Sequence, residues 1–122
     1  VNVSDLRWER GSTVVSWLAE GRRVEKAYSR PIASVCELHE GCGVALVEAI
    51  EESGPHNAVV FNADGSTRFR LGLPLPDYQV QGFADMYYVE QELTAILVTP
   101  GRDFAVVIDD NTGECLRTYE TR

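Results

Sequence analysis

Apolar and polar residues alternate along this chain in short runs, broken by Gly, Asp and Asn. Ala58-Val59-Val60-Phe61 is followed by Asn62-Ala63-Asp64-Gly65. Phe69 and Leu71 then alternate with Arg68 and Arg70, the period of a half-buried strand. Asp-Gly between two such runs marks a tight hairpin, because Gly accepts the positive φ that the turn requires. The pattern returns near the C-terminus. Ala105 to Ile108 is apolar, Asp109 to Gly113 turns, and Cys115 to Tyr119 reads as the return strand. With one inserted residue, the two turn glycines lie 48 positions apart. Thr13 to Gly21 aligns with Asn57 to Gly65 at an offset of 44, placing Trp17 on Phe61 and Glu20-Gly21 on Asp64-Gly65. The stretches ahead of the two later hairpins, "ASVCELHEGCGVALVEAI" and "FADMYYVEQELTAILVTP", each read as two strands joined by a short polar turn. Four strands in roughly 45 residues is the size of a propeller blade.

These patterns predict one mainly β domain of antiparallel meander repeats, packed as a sandwich or partial propeller. Residues 1–31 form a partial repeat, 32–73 and 82–122 form repeats, and 74–81 connect them. Pro74 and Pro76 remove backbone donors and favour an extended, non-sheet connection there. The alternative is an α+β fold with one or two short helices. Val14, Trp17, Leu18, Gly21, Val24 and Tyr28 also fit a helical stripe, and "GVALVEAIEESGP" carries helix formers with Gly54-Pro55 as a stop. The strand reading of Phe83 to Tyr88 has a consequence. In strict alternation Phe83, Met86 and Tyr88 cannot all face inward, so Tyr87 or Tyr88 is expected at the surface, where Tyr is favoured in interfaces.

Composition narrows the function classes. The 122 residues carry a net charge of −8, unevenly spread. Residues 1–31 hold six basic and four acidic side chains, a balance of +2. Residues 32–66 hold no Lys or Arg and six carboxylates: Glu37, Glu40, Glu48, Glu51, Glu52 and Asp64. Such a surface repels phosphate backbones, which disfavours nucleic acid, and speeds association with a basic protein. No apolar run approaches the ~20 residues of a membrane-spanning helix. The three cysteines, an odd number, suit reduced thiols in a cytoplasmic protein better than a disulfide framework.

Candidate chemistry is sparse. Cys36, His39 and Cys42, with His56 further on, are residue types that bind zinc, but the paired knuckle spacing is missing. In a hairpin with a His-Glu-Gly loop, Cys36, Leu38, Cys42 and Val44 would share a face. A Cys36–Cys42 disulfide and a Cys36/His39 hydrolase are further readings of the same residues. Asp109, Asn111 and Glu120 offer calcium ligands, with the glycine one place early for an EF-hand loop. Glu48, Glu51 and Glu52 read more simply as a solvated face than as an acid–base group. No cofactor is expected.

The segment "VIDDNTGECL" resembles the turn motif of quinoprotein-type propeller blades, with Asp109, Thr112 and Gly113 in the matching places. The family's docking Trp falls on Arg117, and the match covers about ten residues of one repeat. The resemblance implies a blade-like hairpin and carries over no catalytic or cofactor residue. In smallness and acidity the chain is also similar to small bacterial immunity proteins, which neutralise toxins; no motif carries that similarity. The expected function is a non-catalytic protein-binding module, an acidic inhibitor of a basic toxin. Glu37, Glu40, Glu48, Glu51, Glu52, Tyr87 and Tyr88 are the expected contact residues. A structural or ligand-binding β-repeat protein is the alternative, and unpaired sheet edges make a homodimer an expectation too.

Overall fold

The structure, a computed structural model, describes residues 1–121. Eleven strands form three antiparallel sheets, each with its strands in chain order. Sheet 1 holds β1 (Val3–Arg7), β2 (Val14–Ala19) and β3 (Arg22–Ala27). Sheet 2 holds β4 (Ser34–Glu37), β5 (Gly43–Val47), β6 (Ala58–Asn62) and β7 (Thr67–Arg70). Sheet 3 holds β8 (Gly82–Val89), β9 (Glu92–Thr99), β10 (Arg102–Ile108) and β11 (Cys115–Glu120). The segment from Leu71 to Gln81 lies outside the sheets, as its prolines require.

Burial explains the sheet order. Sheet 2 lies between the other two and is apolar on both faces. Val44, Leu46, Val59 and Phe61 pack with Val15 and Trp17 of sheet 1. Ala45, Val47, Ala58 and Val60 pack with Phe83, Leu97 and Val106 of sheet 3. A strand covered on both faces loses its alternation and reads as a continuous apolar run. That is why Val44 to Val47 looked compatible with a helix; the helix present, α1 (Ile50–Ser53), is a single turn just beyond it. Residues 13–28 are a strand hairpin rather than a helix, because Val15, Trp17 and Ala19 bury one face while Val14, Ser16 and Leu18 stay half-exposed. The Glu20-Gly21 turn carries positive φ at both residues, the mirror-image geometry that fits strand twist.

Buried side-chain hydrogen bonds help to join the sheets. Trp17 Nε1 donates to the Ala63 carbonyl at 2.7 Å, tying sheet 1 to the hairpin turn of sheet 2. Asn57, fully buried, accepts from Phe83 N at 2.7 Å and donates to the carbonyls of Glu48 (2.7 Å) and Phe83 (2.8 Å). It fastens the entry of β8 to sheet 2. The last hairpin docks similarly: a Cβ on Gly113, which has φ +83°, would sit 2.6 Å from the Phe69 ring, so only glycine fits.

One expectation is corrected here. Phe83, Met86 and Tyr88 do all face the sheet 2 core. Phe83 pairs with Leu97 and Asp85 with Ile96, so a bulge at Ala84 shifts the alternation by one residue.

Candidate functional site

The leading edge strands of sheets 2 and 3 lie side by side. Ser34 Oγ donates to Asp85 Oδ1 at 2.7 Å and approaches the Met86 carbonyl at 3.5 Å. Two residues further along each strand, the Cys36 thiol meets the Tyr88 backbone. The strands therefore run in the same direction. Among the described residues neither has a backbone partner on its outer side. A groove of about 340 Å³ follows these edges, lined by Trp8, Arg10, Val35, Cys36, Asp85 and Tyr87 among others. Trp8 Nε1 is buried in its wall without a hydrogen-bond partner. Glu37, exposed, extends β4 one residue beyond Cys36. At Met86 the edge is capped by side chains, its amide donating to Asp85 Oδ1 at 2.8 Å; an edge strand without a backbone partner can accept an extended peptide as a further strand.

The seven expected contact residues fall into two groups. Glu37, Glu40, Tyr87 and Tyr88 gather where β4 turns into β5 beside β8. Glu37, Glu40 and Tyr87 are exposed there. Tyr88 is half-buried: its ring stacks on His39 at 3.6 Å, and its hydroxyl donates to Asp110 Oδ2 at 2.7 Å and accepts from His39 N at 3.2 Å. Burial, with Asp110 adding to it, pushes the Tyr88 hydroxyl well above the usual phenol range.

Glu48, Glu51 and Glu52 surround α1 at another place. Glu51 is exposed. Glu52 accepts from the Ser29 and Arg30 backbone amides at 3.0 and 2.9 Å, holding the turn between β3 and β4. Glu48 is 3% exposed and presents no charge to solvent. It accepts from both Arg70 Nη atoms, at 2.6 and 3.1 Å, and from the Tyr28 hydroxyl at 2.8 Å. Burial alone would raise its pKa, but the Arg70, Ser53 and Tyr28 donors outweigh that and hold the carboxyl below the ordinary range. Burial, with the Glu48 contact adding to it, pushes the Tyr28 hydroxyl far up. Sequence gives no sign of this network, since Glu48 continues a segment of carboxylates and Arg70 sits in a different strand.

A stability prediction arises here. A carboxyl with a lowered folded pKa stabilises the fold above its unfolded value, and this is lost as pH falls through the folded value. Arg70 is partly exposed, with 42% of its side chain accessible, so solvent screens the pair. Arg70→Met is expected to cost about 2–3 kcal/mol at neutral pH, below the range for fully buried pairs. The gap to the parent protein should narrow between pH 6 and pH 3 as Glu48 protonates, in urea denaturation across that range; a gap that stayed constant would mean that the pair's charge contributes nothing.

The metal and nucleophile readings meet specific geometry. Among the described residues no three His, Cys, Asp or Glu groups converge to hold a metal ion. Cys36 and Cys42 are free thiols, not a disulfide. Cys36, Leu38 and Cys42 pack toward sheet 3, but Val44, opposite Glu37, faces sheet 1, so the four do not share a face. The Cys36 thiol contacts the Glu37 carbonyl at 3.6 Å, and burial pushes its pKa up, which favours the protonated form. His39 lies on Tyr88, and exposed His56 offers its carbonyl to Arg70. Asp109 Oδ1 accepts the amides of Asn111 (2.8 Å) and Thr112 (3.1 Å), so the carboxylate that looked available to calcium serves its own turn.

Fold and groove together define a class: a mainly β, three-sheet protein with an open edge groove lined by one carboxylate, Asp85, and one guanidinium, Arg10. No family model matches the chain, and no curated protein is significantly similar to it. Among the described residues the longest helix is one turn, and no helix is long and apolar enough to cross a membrane.

Proposed function

We propose that this chain is a non-catalytic protein-binding module that receives an extended, basic segment of a partner along the β4/β8 groove. The observation that carries this reading is the pair of strand edges that lack backbone partners along a groove lined by Asp85 and Tyr87, with Glu37 one residue beyond Cys36. Edge backbone groups supply strand-like hydrogen bonds, and carboxylates beside the groove select Lys or Arg on the incoming segment. A basic toxin neutralised by an acidic inhibitor is one partner of this chemistry.

The test is titration of Lys/Arg-containing extended peptides by fluorescence anisotropy, at low and high salt. Binding is expected at low salt and should weaken as salt rises, because exposed charges are screened. Glu37→Lys should weaken it about tenfold, the size of one lost charge-assisted contact. Glu51→Lys, at the α1 end, should leave it unchanged. No binding at low salt, or equal loss from both variants, would refute the groove as the binding site.

A further inference from the structure

The two strand edges beside the groove are not equivalent. On β8 the outward groups already have partners. The Met86 amide donates to Asp85 Oδ1 at 2.8 Å, the Met86 carbonyl faces Ser34 Oγ at 3.5 Å, and the Tyr88 backbone meets the Cys36 thiol. Side chains from β4 and from β8 itself close that edge.

β4 differs. Leu38 N donates to the Gly43 carbonyl at 2.9 Å, and Glu48 N to the Asn57 carbonyl at 2.7 Å. Along an antiparallel strand the bonding direction alternates residue by residue. Gly43, Ala45 and Val47 of β5 therefore bond to β4, and Val44 and Leu46 bond to β6. By the same register Ser34 and Cys36 bond to β5, while the N–H and C=O groups of Val35 and Glu37 point away from it. Among the described residues these groups have no backbone partner, and the Glu37 carbonyl meets only the Cys36 thiol, at 3.6 Å. The side chains of Val35 and Glu37 lie on the face turned to sheet 1, opposite Leu46 and Val44. Trp8 packs on that side with Val35 and lines the groove with it.

We propose that the partner segment joins β4 rather than β8, antiparallel to it, and is recognised by a Lys or Arg followed two positions later by a large apolar residue. This specifies the groove reading above and rests on it. Antiparallel pairing is the more stable arrangement, and it lets one partner residue exchange both bonds with Glu37 and another both with Val35. Residues directly opposite each other share a face. β4 runs from Val35 to Glu37, so an antiparallel strand meets Glu37 first. A cation there faces the exposed carboxylate, and the residue opposite Val35 comes to the side walled by the Trp8 ring. Arg10 stands in the same wall, so a single cation beside Glu37 is selected over a uniformly basic run.

The experiment is fluorescence anisotropy of the whole chain at low salt with short extended peptides centred on Lys-Thr-Leu or on the reversed Leu-Thr-Lys. The first should bind about fivefold or more tightly than the second, because reversal loses both cross-strand pairs. N-methylation of the Lys or Leu amide should weaken binding about tenfold, since those amides face β4, and methylation of the Thr amide should have little effect. Glu37→Lys should prefer Glu-Thr-Leu to Lys-Thr-Leu. If no peptide binds, the groove reading fails and this proposal with it. If peptides bind but order makes no difference, or the Thr amide is the sensitive one, the groove stands as a binding site and the pairing with β4 is overturned.

Discussion

Asn57→Ala is expected to lower stability by about 3–5 kcal/mol, a large share of the ~5–15 kcal/mol that holds a domain of this kind together. The side chain is fully buried and makes three hydrogen bonds, to Phe83 N, the Phe83 carbonyl and the Glu48 carbonyl. Truncation leaves one backbone donor and two acceptors without this partner. Each unsatisfied buried group costs about 1–3 kcal/mol, and their sum is not fully additive. The thermal midpoint should fall by roughly 10–20 °C. Asn57→Asp gives an independent check. The variant keeps an acceptor for Phe83 N but turns a carboxylate oxygen toward two carbonyls. Burial and those carbonyls raise the pKa of the new group, so its penalty is greatest above that value and eases as pH falls and the carboxyl can donate. Urea denaturation at pH 7 and pH 5 should show the Asp variant recovering part of its loss relative to the parent while the Ala variant does not. Equal pH behaviour would mean that the side chain fills space without clamping the sheets.

Asn57 marks a boundary in what the chain discloses. Strands with one face on a core announced themselves: Trp17 alternates with Ser16 and Leu18, and Gly65 and Gly113 lie where positive φ was needed. Strands covered on both faces did not, because Val44 to Val47 contains no alternating polar position to report a period. The bulge at Ala84 was silent for a different reason. It moves pairing by one residue through contacts with β9 that lie more than ten positions away. The β8–β9 turn is equally unadvertised in detail, since Glu90 and Gln91 take positive φ without a glycine. The candidate site divides along the same line. Exposed Tyr87 and Glu37 follow from strand phase and charge. The groove depends on two edges from different sheets meeting, and the burial of Glu48 depends on Arg70 and Tyr28 arriving from β7 and the end of β3. Local pattern records which way a residue points; it does not record what another sheet places opposite it.

Trp17→Ala is expected to cost about 4–5 kcal/mol, at the upper end for removing a large aromatic from a core. Trp17 is fully buried at the contact between sheets 1 and 2, with its ring 6.3 Å from that of Phe61. Two contributions are mixed in that loss, and a second variant separates them. Trp17→Phe retains most of the apolar packing and removes the donor to the Ala63 carbonyl. An acceptor left unsatisfied there costs about 1–3 kcal/mol. Packing should therefore dominate, with the Ala variant losing about twice what the Phe variant loses. Denaturation by urea, followed by far-ultraviolet circular dichroism because the substitution removes a fluorophore, measures both. If Phe proved as damaging as Ala, the indole N–H bond would be the main tie between the sheets. Sheet 1 would then be held to sheet 2 at the hairpin turn carrying Ala63 rather than by the apolar surface of Val15, Leu46 and Val59. The expected order follows from area: the hydrogen bond secures one point on that turn, while the ring fills the interface on which every strand of sheet 1 depends for its buried face.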